Sequence, residues 1–84
     1  MVMMKVEVRF YAQCREIVGA GDAMLALPEK ATLRDLAAVL QDRYPELSKY
    51  WKYLVLAVNE EIARDNRPLC DGDTVALLPP VAGG

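Results

Sequence analysis

The sequence predicts an α+β domain in which a mixed sheet of four or five strands packs on one main helix, and three observations carry that expectation. From Met4 to Phe10, apolar and charged residues alternate, with Met4, Val6, Val8 and Phe10 on one face and Lys5, Glu7 and Arg9 on the other, as a strand with one buried face requires. Leu33, Leu36, Ala37, Leu40 and Tyr44 recur at spacings of three and four, the stripe of an amphipathic helix over about Leu33 to Arg43. Tyr53 to Val58 is an almost unbroken apolar run, which predicts a central strand buried on both faces.

The remaining elements follow from local chemistry. Ala12 to Val18 can form a short helix that stops at Gly19-Ala20-Gly21, because glycine accepts the left-handed backbone of a helix end. A second strand is expected at Ala23 to Leu27, ended by Pro28. Thr32 with Asp35 three residues on forms an approximate capping box for the main helix. Pro45 disfavours helical backbone at Tyr44, so the chain turns there and runs irregularly to Lys52. Asn59-Glu60-Glu61 reads as a turn into a short strand near Ile62. Asp71-Gly72-Asp73 is a strong turn signal before a last strand at Thr74 to Leu78, which Pro79-Pro80 ends by withholding backbone donors. The expected organisation is one domain over 1–78 and an extended, flexible tail over 79–84, with no internal repeat.

Composition narrows the function classes. Eighty-four residues suffice for one domain, which at this size buries about 60–65% of the surface its unfolded chain exposes. Ten Lys and Arg against twelve Asp and Glu leave a formal charge of −2, which offers no footprint for nucleic acid or an anionic membrane. Lys5, Glu7 and Arg9 interrupt the first apolar segment, so no secretory or membrane-spanning stretch is expected and a cytoplasmic location follows. Histidine is absent; with it go the usual neutral-pH base, the Ser-His and Cys-His nucleophile pairs and the commonest metal ligand. Cys14 and Cys70 lack metal-type spacing and read as buried free thiols. No metal site is expected.

The most informative segment is Leu77-Leu78-Pro79-Pro80-Val81-Ala82-Gly83-Gly84. Two prolines hold their backbone extended, which lowers the entropy lost when a partner captures the tail; ordering a free residue costs about 1–2 kcal/mol. The six residues from Pro79 reach at most about 20 Å, enough to enter a pocket in a docked enzyme. Gly83 and Gly84 have no Cβ, so they pass a narrow channel and bring a carboxylate close to another backbone. A frayed terminus is the plain alternative.

These residues resemble the small subunit of molybdopterin synthase, a sulfur carrier with the ubiquitin-like β-grasp fold. The resemblance spans nearly the whole chain. It is carried by Phe10-Tyr11-Ala12-Gln13-Cys14-Arg15-Glu16-Ile17-Val18-Gly19, by Val58-Asn59, by Asp71-Gly72-Asp73-Thr74-Val75-Ala76 and by Pro79-Pro80-Val81-Ala82-Gly83-Gly84. Leu77-Leu78 stands where such proteins often carry aromatic residues. The resemblance implies that an adenylyltransferase related to ubiquitin-activating enzymes uses ATP and Mg²⁺ to adenylate Gly84, and that a persulfide protein then supplies sulfur to give a thiocarboxylate. It implies that the large synthase subunit receives this sulfur for a cyclic pyranopterin precursor, in a heterotetrameric enzyme whose small subunit is a protein cosubstrate. It places Gly84 and Gly83 at the chemistry, Pro79, Pro80, Val81 and Ala82 along the partner's channel, and Arg15, within the family stretch, against the partner. Alternation alone, apart from the resemblance, offers Tyr11, Ile62 and Leu78 as outer-face residues for a partner, with a plain core role as the equal alternative. No Gly-x-x-x-x-Gly-Lys loop occurs, so this chain is expected to bind no cofactor of its own.

Other features read blandly. Arg15-Glu16 also suits an exposed helix pair of little energetic weight. Gly19-Ala20-Gly21 lacks the third glycine and the preceding strand of a dinucleotide site. Tyr44, Tyr50, Trp51 and Tyr53 suit packing or a partner contact better than base stacking. Glu60, Glu61, Asp65, Asp71 and Asp73 do not have calcium-loop spacing. Three alternatives stay open: a carrier for thiamine, transfer-RNA thiolation or cysteine synthesis; a ubiquitin-like modifier joined to lysine amines; and an interaction domain with an idle tail.

Overall fold

A computed structural model describes residues 2–64 and 66–79. Strand β1 (Met3–Phe10) leads into helix α1 (Ala12–Val18), strand β2 (Asp22–Pro28) and helix α2 (Leu33–Arg43). Two short 3-10 turns, Pro45–Lys49 and Trp51–Tyr53, then lead to β3 (Val55–Val58), β4 (Glu61–Ile62) and β5 (Thr74–Leu78). The sheet order is β2-β1-β5-β3-β4. Only the β1–β5 pair is parallel, with Glu7 opposite Thr74 and Phe10 opposite Leu77. A parallel pair needs a crossover, and α2 supplies it.

Alternation fixes which face is covered. Met4, Val6, Val8 and Phe10 of β1, Leu25 and Leu27 of β2, Leu56 and Val58 of β3, and Val75 and Leu77 of β5 are all buried with Leu33, Leu36 and Leu40 of α2 in one core. Phe10 meets Tyr44 edge-to-face, with ring centroids 6.2 Å apart. Asp35 Oδ2 accepts a hydrogen bond from the Thr32 backbone N–H at 2.8 Å and one from Thr32 Oγ1 at 3.2 Å, anchoring the start of α2 as the Thr-x-x-Asp pattern requires. Gly19 closes α1 at φ 82°, its N–H donating to the Arg15 carbonyl. The crossover's return loop is tied down by the Leu33 N–H to the Arg67 carbonyl and the Leu69 N–H to the Ala31 carbonyl.

Two expectations are corrected. The apolar run from Tyr53 does not form one strand: the Tyr53 N–H bonds the Tyr50 carbonyl and the Leu54 N–H bonds the Trp51 carbonyl, so these groups serve local turns and pairing starts at Val55. Burial on both faces holds only for the second half of the run: Leu56, Ala57 and Val58 are buried in succession, whereas Tyr53 and Val55 are exposed. The second correction concerns the thiols. Cys14 is buried, as expected, but Cys70 is exposed, since the Asp71-Gly72-Asp73 turn holds it outside the core, with its N–H donating to Asp73 Oδ2. Burial pushes the Cys14 thiol pKa up. Iodoacetamide at about pH 8 should therefore modify Cys70 promptly and Cys14 only after unfolding, a difference read by peptide mass mapping.

Among the described residues, positive φ at a non-glycine position occurs at Ala12, the first residue of α1, and at Lys30, Asn59 and Glu60 in turns. Lys30 sits at φ 72° in the turn closed by the Ala31 N–H on the Pro28 carbonyl, in the left-handed region that favours glycine. Lys30→Gly should raise stability by about 0.5–1 kcal/mol, the relieved strain exceeding the added chain entropy. The shift would be read as a higher urea midpoint at unchanged slope.

Candidate functional site

The predicted tail leaves the sheet at the end of β5, which stops at Leu78. Pro79 is the last described residue of the segment, and Pro80, Val81, Ala82, Gly83 and Gly84 lie outside the described residues. β5 is the middle strand of the five. At this end it is gripped on one side by β1, through Phe10 opposite Leu77, and on the other by β3, through Val55 opposite Leu78. The exit therefore rests on paired backbone on both sides, which holds Leu78 and Pro79 in a fixed direction.

The base of β5 is anchored as firmly. The Asn59 side-chain amide donates to Asp73 Oδ1 at 2.9 Å while its Oδ1 accepts the Thr74 N–H at 3.0 Å. The Asn59 N–H also donates to the Thr74 carbonyl. Asp71 Oδ1 accepts the Lys5 N–H at 2.7 Å, and the Gly72 N–H donates to the Lys5 carbonyl, with Gly72 at φ 86°. Val58-Asn59 and Asp71-Gly72-Asp73-Thr74, apart in sequence, thus meet in one structural device: they lock the start of the strand whose far end carries the tail. Among the described residues no group of three or more His, Cys, Asp or Glu is arranged to hold a metal ion; Asp71 and Asp73 bond backbone and amide donors instead.

The outer face beside the exit combines apolar side chains with Arg9, Asn59, Glu60 and Thr74. Register places Arg9, Ala76, Ala57 and Ile62 in one row across β1, β5, β3 and β4, with Leu78 and Val55 in the neighbouring row. Ile62 is 78% exposed and Tyr11, just after β1, 42% exposed; Leu78 and Pro79 are half-buried. Tyr11, Ile62 and Leu78 are thus brought to one side of the sheet around the exit. Arg15 is not: it lies one turn into α1, and a methyl group placed on Gly21 would meet its Cζ at 3.7 Å, on the β2 side of β1. Arg15 and Glu16 form no ion pair; among the described residues the one ion pair joins Arg9 to Glu7, with Arg9 Nε donating to Glu7 Oε1 at 3.2 Å. Hydrogen bonding to Tyr11 first, and to Glu7 second, raises the Arg9 pKa further above its usual value. Sequence reasoning missed Arg9, Val55, Ala57 and Ala76 as parts of this face. Alternation assigned Arg9 to the outer side, but the pairing of Ala57 with Ala76 depends on register, which no local pattern encodes.

A mixed five-stranded sheet crossed by one main helix, with the last strand in the middle of the sheet, defines a ubiquitin-like β-grasp domain. Comparison with known proteins places it further: residues 8–84 match the model of the ThiS family, and the chain belongs to that family. It is 36% identical over 83 residues to the molybdopterin synthase sulfur carrier subunit of Chlamydomonas reinhardtii, covering 96% of this chain and 100% of the relative. It resembles a chain in the complex of subunits 1 and 2 of the molybdopterin-converting factor of Helicobacter pylori, at 33% identity and a TM-score of 0.72, covering 96% of this chain and 100% of that one. It also resembles small archaeal modifier protein 1 of Methanosarcina acetivorans, at 26% identity and a TM-score of 0.82 over the full length of both. No helix among the described residues is long and apolar enough to cross a membrane.

Proposed function

We propose that this chain is the sulfur carrier of molybdopterin synthesis, working in the cytoplasm as the small subunit of a heterotetrameric synthase. Gly84 is the reacting residue. A carboxylate is a poor acyl donor, so a partner adenylyltransferase, holding ATP and Mg²⁺, joins the Gly84 carboxylate to AMP and releases pyrophosphate. The terminal sulfur of a persulfide protein attacks the acyl carbon and AMP leaves; a thiol then cleaves the S–S bond and frees the thiocarboxylate. The large subunit takes that sulfur into a cyclic pyranopterin precursor, and the Gly84 carboxylate is regenerated. Gly83, which has no Cβ, passes the narrow channel, Pro79, Pro80, Val81 and Ala82 span it, Tyr11, Ile62 and Leu78 dock around its mouth, and Arg15 contacts the partner from α1.

One observation carries the reading. The family match runs through residue 84, and the segment it includes continues from β5, the strand pinned on both sides. The direct test is reconstitution: thiocarboxylated protein, the large subunit and the pterin precursor should yield dithiolene product, and the unmodified carboxylate should yield none. A second reading, a modifier joined through Gly84 to lysine amines, draws on the likeness to small archaeal modifier protein 1. Intact-mass analysis separates the two: exchange of one oxygen for sulfur supports carriage, and covalent adducts on other proteins support modification.

A further inference from the structure

Among the described residues the sheet ends in β4 on one side and β2 on the other, and the two edges are defended unequally. β4 is two residues long and carries Glu61, with Glu60 just before it, a short charged edge of the kind that resists further pairing. β2 runs for seven residues, Asp22–Pro28, and pairs with β1 alone, in unbroken register. No charge lies between Asp22 and Pro28. Met24 is 59% exposed, and Ala26 and Pro28 are exposed too.

Register identifies the backbone groups that this edge offers. The Phe10 N–H donates to the Gly21 carbonyl and the Glu29 N–H to the Val2 carbonyl, so in this antiparallel pair the odd-numbered residues of β2 turn their N–H and C=O toward β1. The even-numbered ones turn theirs away. Asp22, Met24 and Ala26 each present a donor and an acceptor at the free edge, and Pro28 an acceptor only. An added strand is held by such groups.

The side chains select which strand that is. Antiparallel to itself, β2 can be centred on Met24, Leu25 or Ala26, and the charged neighbours on β1, Glu7 beside Met24 and Lys5 beside Ala26, distinguish the three. Centred on Met24, the middle row ends in two copies of Glu7; centred on Ala26, it ends in two copies of Lys5. Centred on Leu25, a row runs from Glu7 and Met24 to Ala26 and Lys5 of the second copy. Opposite charges then close the row and a long side chain lies across from a small one, which favours the pairing. Met24 and Ala26 exchange both backbone bonds, the Asp22 N–H reaches the Pro28 carbonyl of the second copy, and the donor that proline lacks falls at the end of the ladder.

We propose that two copies of this chain pair through β2, antiparallel about Leu25, an isologous contact that joins their sheets into one. β1 lies between β2 and β5, so the contact leaves the outer face around Leu78 uncovered, and the two β5 strands end at opposite ends of the joined sheet. The pairing holds whether or not the chain carries sulfur.

The test is sedimentation equilibrium of the full chain up to about 1 mM, with thermal melts to confirm folding. The wild-type chain should show a monomer–dimer equilibrium with a dissociation constant of about 1 mM or below, and amide exchange at Met24 and Ala26, followed by NMR, should slow severalfold as dimer forms. Met24→Pro removes an outward donor and no bond to β1, which an edge strand tolerates. Met24→Lys places a cation beside Glu7 of its own chain and near Lys5 of the second copy. Each should weaken association about tenfold or more, and Ile62→Lys, on the outer face, should change it less than about twofold. If Met24→Pro does not fold, Met24→Lys decides alone. A chain that is monomeric at about 1 mM overturns the inference; so does a dimer that Ile62→Lys breaks, one that a folded Met24→Lys leaves intact, or one whose Met24 amide exchanges as fast as in the monomer.

Discussion

A chain lacking Gly84 folds normally, gains no sulfur when incubated with its activating enzyme and a persulfide donor, and supports no dithiolene formation. The fold should be indifferent because β5 ends at Leu78 and the core ends at Leu77. Changes outside a packed element are usually worth less than about 0.5 kcal/mol. The chemistry should be lost entirely. Truncation puts the carboxylate one residue short, and a displacement of about 1 Å from the reactive geometry already costs about a hundredfold; one residue is about 3.5 Å of extended chain. Residues added beyond Gly84 fail for a different reason, since the Gly84 carboxylate then becomes a peptide amide, which has no carboxylate to attack ATP. Intact-mass spectrometry reads both variants, and a truncated chain that still acquires sulfur removes Gly84 from the mechanism.

What could be read from the residues, and what could not, divides along local and non-local physics. The helix at Leu33–Arg43 was legible because its stripe, its Thr32-x-x-Asp35 start and its Tyr44-Pro45 stop are all local and all agree. β1 was legible from alternation, and β5 from the turn before it and the prolines after it. The start of β3 was not: Tyr53 and Leu54 are as apolar as a strand asks, but their N–H groups bond Tyr50 and Trp51, a choice between turn and ladder that hydrophobicity does not encode. The same limit hid the Ala57–Ala76 pair on the outer face. Ala57 and Ala76 are ordinary small residues 19 positions apart in the numbering, and they become neighbours only through the β3–β5 register. Asn59 illustrates the reverse case, since its resemblance to the family was visible while its work, bonding Asp73 and Thr74 to hold the base of β5, required the fold.

Leu77 and Leu78 provide the sharpest separation of folding from docking. They are chemically identical and adjacent, but strand alternation sends Leu77 into the core, fully buried opposite Phe10 and Leu56, and Leu78 to the outer face opposite Val55. Leu77→Ala should cost about 2–5 kcal/mol through lost burial and a residual cavity. At about 0.05–0.15 kcal/mol per residue, a domain of this size has only about 4–13 kcal/mol in total, so the variant should be severely destabilised in urea. Leu78→Ala removes a half-exposed side chain and should cost about 1 kcal/mol or less. Its effect belongs to the complex instead: binding to the large subunit should weaken about tenfold or more, the scale of a central apolar contact, while the urea midpoint moves little. A Leu78→Ala chain that binds as wild type would take the outer face out of the docking surface, whatever Leu77→Ala does to stability.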